Sequence, residues 1–187
     1  SIFFYSPRFL FSGNIKYLLP LLLDLEIPKN LPKGSYVYLQ NIVTDLILGI
    51  KRVDLLETFC STIINKGYMP GLITLNPILL GNVVSNFDIN IQQKLIFCYN
   101  INDSGFNVFP NLKKVEDFTK NKSPYKKMGM SILSSGGINN IQESLKYIKE
   151  LPLDYVVYGS SNINNIEANY NFLKWGFPQI KFFARII

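Results

Sequence analysis

Four short apolar runs recur along the chain, each ending in Asn, Gly or Ser: GLITLNP (71–77), KLIFCYNIN (94–102), GMSILSSGG (129–137) and LDYVVYGSS (153–161). Their cores are apolar on both faces, which is how strands read when a parallel sheet is covered on both sides. Between the third and fourth runs, Ile138, Ile141, Leu145, Ile148 and Leu151 recur at helical spacing, predicting an amphipathic helix over 138–151. After the fourth, Ile163, Ile166, Tyr170 and Leu173 repeat the rhythm over 162–175, and Gly176 and Pro178 close it. Strands alternating with helices leave two architectures, an open doubly wound sheet or a closed barrel with right-handed crossovers.

A short internal echo supports the register. INNIQE (138–143) returns as INNIEA (163–168), 25 residues later, each time behind a strand and at the head of a helix. That interval is about one βα unit. Upstream, SYVYLQN (35–41) reads as a strand and VDLLETFCSTIINKG (53–67) as a helix stopped by Gly67. IFFYSP (2–7) reads as a further strand, and the two prolines of LEIPKNLPKG (25–34) mark a loop. With no linker or shift in composition, residues 1–187 read as one domain, its best-defined βα units lying in 68–175. About six strands are counted, whereas a complete (β/α)₈ barrel takes ~250 residues. The chain also begins without Met, so it is expected to be either processed or a fragment with its first units upstream. The fold class expected is α/β, a (β/α)₈ TIM-barrel-like domain, incomplete, with about five to six βα units.

Composition removes several chemistries. The chain has no His, so no imidazole serves as general base, metal ligand or triad member. Cys60 and Cys98 stand alone in apolar segments with no CxxC spacing, which reads as buried thiols in a reducing, cytoplasmic setting; no metal site is expected. The net charge of +6 comes from scattered Lys and Arg, densest at Lys120, Lys122, Lys126 and Lys127, and reads as a solvated face rather than a nucleic-acid footprint. YLLPLLLDLEI is broken by Pro20 and Asp24, so no membrane span is expected.

In parallel βα folds the loops after the strands carry function. Those loops offer Gln40 and Asn41, Asn76, Asn100 with Asn102 and Asp103, Ser134 to Gly137, and Gly159 to Asn162. Two glycines let backbone approach a ligand closely, and the N–H groups of the helix behind favour an anion. The expected phosphate-binding residues are Ser134, Ser135, Gly136, Gly137, Gly159, Ser160 and Ser161, with Asn76, Asn100 and Asn102 orienting the other end of the ligand. Asp103 is the candidate acid or base, because amides orient a substrate but do not transfer protons near neutral pH.

ILSSGGI (132–138) followed one unit later by VVYGSS (156–161) resembles the last two strand ends of phosphate-binding (β/α)₈ barrels such as indole-glycerol-phosphate synthase and the histidine-biosynthesis isomerases. The resemblance implies phosphate contacts at Ser135, Gly136, Gly137, Gly159 and Ser160. Asn76-Pro77, Asn102 with Gly105-Phe106 and Pro110, and the stretch 131–137 also resemble a group of TIM-barrel proteins of uncharacterised function. The synthases and isomerases carry Lys, Asp, Glu or Cys at other strand ends, where this chain has Gln40, Asn41, Asn76 and Asn100. The implied activity is binding of a phosphorylated small molecule with aldolase-like lyase or isomerase chemistry. One alternative gives the same anchor to FMN or NADPH in an oxidoreductase, since GSSNINNIEAN resembles the last unit of aldo/keto reductases. Another, favoured by the neutral rim, is a non-catalytic ligand-binding barrel.

Overall fold

The computed structural model describes residues 14–134 and 141–159, residues 167, 170 and 171, and the backbone of residues 160 and 181–186. A turn of 3₁₀ helix at Ile15–Tyr17 leads into α1 (Leu19–Glu26) and then β1 (Tyr36–Leu39). Next come α2 (Asn41–Gly49), α3 (Val53–Asn65), β2 (Met69–Thr74), α4 (Pro77–Val84), α5 (Ile89–Lys94) and β3 (Ile96–Asn100). The series ends with α6 (Leu112–Lys120), β4 (Lys126–Met130), α7 (Ile141–Lys149), β5 (Tyr155–Ser160) and β6 (Lys181–Ile186).

All six strands are parallel and lie side by side in chain order, β1-β2-β3-β4-β5-β6. A doubly wound sheet must reverse its strand order once, and this one does not. Right-handed crossovers that always step the same way put every helix on one face. The core is divided accordingly. Val37, Leu39, Leu72, Phe97, Tyr99, Ile101 and Val156 meet the helices through residues such as Leu56, Phe59 and Ile63 of α3, Leu80 of α4, and Ile148 of α7. The opposite face carries a smaller cluster without helical members: Tyr36, Tyr38, Ile73, Ile96, Cys98, Met128 and Tyr155.

That second face is concave. Tyr36 of β1 and Tyr155 of β5 have ring centroids 6.2 Å apart and hydroxyl oxygens at 3.3 Å. In a flat sheet, strands four places apart would be separated by ~19 Å. The first five strands therefore curl into half a barrel, an incomplete barrel-like α/β architecture.

Tyr38 also spans the concavity, its hydroxyl 3.7 Å from the Met128 sulfur, and its ring lies directly on Gly71. A Cβ at Gly71 would stand 2.2 Å from the ring, so any side chain there must expel the tyrosine. Gly71→Ala is expected to lower stability in urea by about 1–3 kcal/mol, the usual range for overpacking. Little of that loss should remain when Tyr38 is already Ala, and equal losses in both backgrounds would refute the contact as the cause.

The sequence places the strands well but not their ends. β4 begins three residues before the apolar run that announces it and stops at Met130, so Ser131 to Leu133 form a turn rather than strand. The pattern conceals this because the strand opens on two lysines. Lys127 is buried, and its ammonium donates to the carbonyls of Phe118 (3.0 Å), Thr119 (2.8 Å) and Asn121 at the C-terminal end of α6. Those acceptors face the negative end of the helix dipole, which is why a cation is tolerated there. Desolvation still pulls the Lys127 pKa below the ordinary lysine value.

The sixth strand is Lys181–Ile186, whereas the expected strand over 2–7 lies outside the described residues, as does most of the helix expected over 162–175. Gly67 does end α3, with φ +81°. Arg52 fixes the beginning of the described chain by a two-pronged ion pair with Asp54 (2.9 and 3.0 Å) and a 3.0 Å bond to Asn14. Among the described residues no helix is long and apolar enough to cross a membrane.

Candidate functional site

The loop that follows β3 organises the C-terminal rim of the sheet. Its centre is Asn102, fully buried, whose amide has two acceptor and two donor positions, all of them used. Oδ1 accepts from the Phe106 N–H (2.8 Å) and the Ser104 hydroxyl (2.9 Å). Nδ2 donates to the Phe106 carbonyl (2.9 Å) and the Ser131 carbonyl (3.3 Å). Asn100, one inward-facing position earlier, donates to the Asn107 carbonyl at 2.9 Å. The two amides thus fold residues 102–107 back over the end of β3 and tie them to the end of β4. Gly105 (φ +71°) and Asn107 (φ +53°) supply the left-handed backbone this reversal needs, and the Phe109–Pro110 bond beyond it is cis.

The same loop grips the segment between β4 and α7 on both sides. On one side, Ser104 Oγ lies 2.8 Å from the hydroxyl of Ser134, itself only 5% exposed. On the other, the hydroxyl of Ser144, in α7 and fully buried, donates to Asp103 Oδ2 at 2.6 Å. Ser131 (φ +55°) and Ser134 (φ +44°) both hold left-handed backbone, which costs a non-glycine residue roughly 1–3 kcal/mol where it is enforced. The β4–β5 ladder has only two pairs, Met128↔Tyr155 and Gly129↔Val156, while β5 continues to Ser160. The two strands therefore part toward their C-terminal ends, next to the Ser131–Ser134 turn.

Of the residues expected to contact phosphate, Ser134 sits at the end of this turn, and Gly159 and Ser160 end β5, the neighbouring strand. Ser135, Gly136, Gly137 and Ser161 lie outside the described residues. Asn76 is at a different place on the rim: it caps α4, its Oδ1 accepting from the Leu79 N–H at 3.1 Å. The structure thus joins Asn100, Asn102, Asp103 and Ser134 through one loop and leaves Asn76 on the far side of it. Ser104 and Ser131 complete the network without having been expected. The signal for Ser104 is the NDSG turn (102–105) after the third strand, a stretch rich in residues that bond their own backbone.

An open cleft of about 780 Å³ lies beyond Asn76, between the ends of β1 and β2 and the far limb of the loop, residues 105–109. Asp45 of α2 builds one wall and is itself fixed, its carboxylate accepting from Thr74 Oγ1 (2.5 Å) and the Leu75 N–H (3.0 Å). Asn41, Asn76 and Asn107 contribute amides, and Leu48, Leu79, Val108 and Phe109 contribute apolar surface.

Among the described residues no group of three or more His, Cys, Asp or Glu side chains could hold a metal ion. The thiol of Cys98, on the concave face, is 3% exposed, and burial pushes its pKa up to about 12, so it is a poor nucleophile at neutral pH. Among the described residues of the rim, Asp103 and Asp45 carry carboxylates. No protein-family model, curated protein or solved structure matches the chain.

Proposed function

We propose that the protein binds a phosphorylated small molecule at the C-terminal rim, with the phosphate on the turn that follows β4 and lyase or isomerase chemistry at the ligand's other end. One observation carries the reading: three consecutive residues, Asn102, Asp103 and Ser104, secure both flanks of that turn, through Ser131 and Ser134 before it and Ser144 after it. Flanks held on both sides, with left-handed backbone at Ser131 and Ser134, reduce the ordering cost of binding between them. The small residues that the sequence places next, ahead of a helix N-terminus, are of the type that suits an anion. In this reading Asp103, oriented by Ser144, is the acid or base, and Gly159 and Ser160 at the end of β5 complete the phosphate cradle. The closed amide network of Asn100 and Asn102 also supports the second reading, binding without catalysis, because neither residue transfers protons.

Thermal-shift measurements with inorganic phosphate, ribose 5-phosphate and FMN test the anchor. A ligand at 100 times its Kd adds about 2.7 kcal/mol, which at this chain length raises Tm by roughly 5–10 °C. Gly137→Val, which puts bulk where backbone must approach the anion, is expected to abolish the shift. If none of the three compounds moves the Tm of the unmodified protein, the anchor is refuted. If FMN alone does so, the ligand is a flavin and the lyase or isomerase reading fails.

A further inference from the structure

The cleft beside Asn76 has a different chemistry from the turn after β4. Among the described residues that line it there is no Lys or Arg, so none of them compensates an anion. Among the same described residues the one carboxylate, that of Asp45, is already engaged by Thr74 and Leu75. Among the described residues, the side chains of Asn41 and Asn107 make no hydrogen bond, and Asn76 uses only its Oδ1, in the α4 cap. On the other side of the same loop Asn102 has every position satisfied. Three amides therefore reach an open cleft with donor and acceptor positions to spare, beside apolar side chains that water reaches: Leu79 is 43% exposed and Phe109 54%.

We propose that this cleft is a second binding site, for an uncharged nucleoside, with a purine base between the apolar side chains and its edge read by the asparagines. An asparagine amide pairs side by side with the adjacent donor and acceptor of an adenine edge, a match that an aliphatic or purely anionic ligand cannot make. An aromatic ring at the mouth suits a flat heterocycle, which gains by stacking. A cleft of about 780 Å³ falls within the ~300–1,000 Å³ usual for small-molecule sites, with a few polar groups set in apolar walls. A base carried on a nucleic-acid strand would bring phosphates for which the lining has no counter-charge, so the free nucleoside is the occupant. The site is independent of the phosphate turn, and each can fail alone.

Side-chain amide signals of the ¹⁵N-labelled protein, followed as adenosine is added, test the proposal. The expected result is a saturable shift of the Asn41, Asn76 and Asn107 amides with a Kd at or below roughly 1 mM. Leu79→Trp, which fills the cleft from an exposed position, and Asn41→Ala, which removes an amide without a structural partner, are each expected to weaken binding at least about tenfold. An otherwise unchanged backbone spectrum establishes that both variants are folded. The proposal is overturned if adenosine produces no saturable shift, or if the shift survives both substitutions. It is equally overturned if a short oligoadenylate binds more tightly than adenosine, or if inorganic phosphate shifts the same three amides. Phosphate acting only on the turn after β4 leaves the two sites distinct, as proposed.

Discussion

Raising the pH from about 7 to about 11 is expected to unfold the protein without denaturant. The groups responsible are acids held neutral by burial. Burial pushes the Cys98 thiol up to about 12 and the Tyr125 phenol up to about 12, and it raises Cys60, Tyr99 and Tyr38 further still. Tyr147 is raised as well, by burial first and then by its hydrogen bond to the Glu116 carboxylate. The sign follows from linkage: in each case the folded pKa lies above the unfolded one. Once pH passes the unfolded values, ~8.5 for Cys and ~10 for Tyr, the unfolded chain has lost protons that the folded chain keeps. Stability is then complete below about pH 8.5 and falls as pH rises toward the folded values. A single fully buried group such as Cys98 removes about 1.4 kcal/mol per pH unit across its window. Acting together up to about pH 11, the two thiols and the buried phenols remove an amount comparable to the 5–15 kcal/mol that holds a typical domain folded. Urea midpoints measured at successive pH values should fall steeply above about pH 9. A flat midpoint up to about pH 11 would show that these groups are open to water.

Asn102→Ala is expected to lower stability by about 3–5 kcal/mol and to free the rim. The side chain makes four hydrogen bonds from a fully buried position, and its loss strands partners on Ser104, Phe106 and Ser131. A buried group left without a partner costs ~1–3 kcal/mol, more than the bond itself is worth. The substitution should also speed amide exchange at Ser104, Phe106 and Ser134, since the bond that brings Ser134 to the loop runs through Ser104. Asn102→Asp keeps the two acceptor bonds but sets a buried carboxylate oxygen against the Phe106 and Ser131 carbonyls, so at neutral pH its cost should be at least as large. A loss below about 1 kcal/mol for Asn102→Ala would mean that the loop holds its shape through Asn100 alone.

Strands β2, β3 and β5 are legible because both faces are apolar and each ends at a polar residue. The start of β4 is not, since Lys127 looks solvent-bound in sequence and is satisfied only by the carbonyls at the end of α6. The curl is invisible for a related reason. It rests on Gly71 leaving room for the Tyr38 ring, a pairing across 33 residues that no local pattern records. At the rim, position was readable and employment was not. Asn76, Asn100 and Asn102 look alike as polar residues after strands, yet the first caps a helix and the other two fold one loop. Only partners distant in sequence, such as Ser131 for Asn102, separate those roles.

The tyrosine pair that joins β1 to β5 also governs the order in which the fold can be made. Tyr36 and Tyr155 are 119 residues apart. Closing so long a loop directly costs about 4 kcal/mol of chain entropy, whereas each single crossover closes a far shorter one and is repaid at once by a strand ladder. Assembly therefore favours stepwise growth from neighbour to neighbour, and the two rings meet only when every intervening strand is in place. Their contact is a completion signal: an intermediate with any one of β2, β3 or β4 unformed has no means of bringing them together.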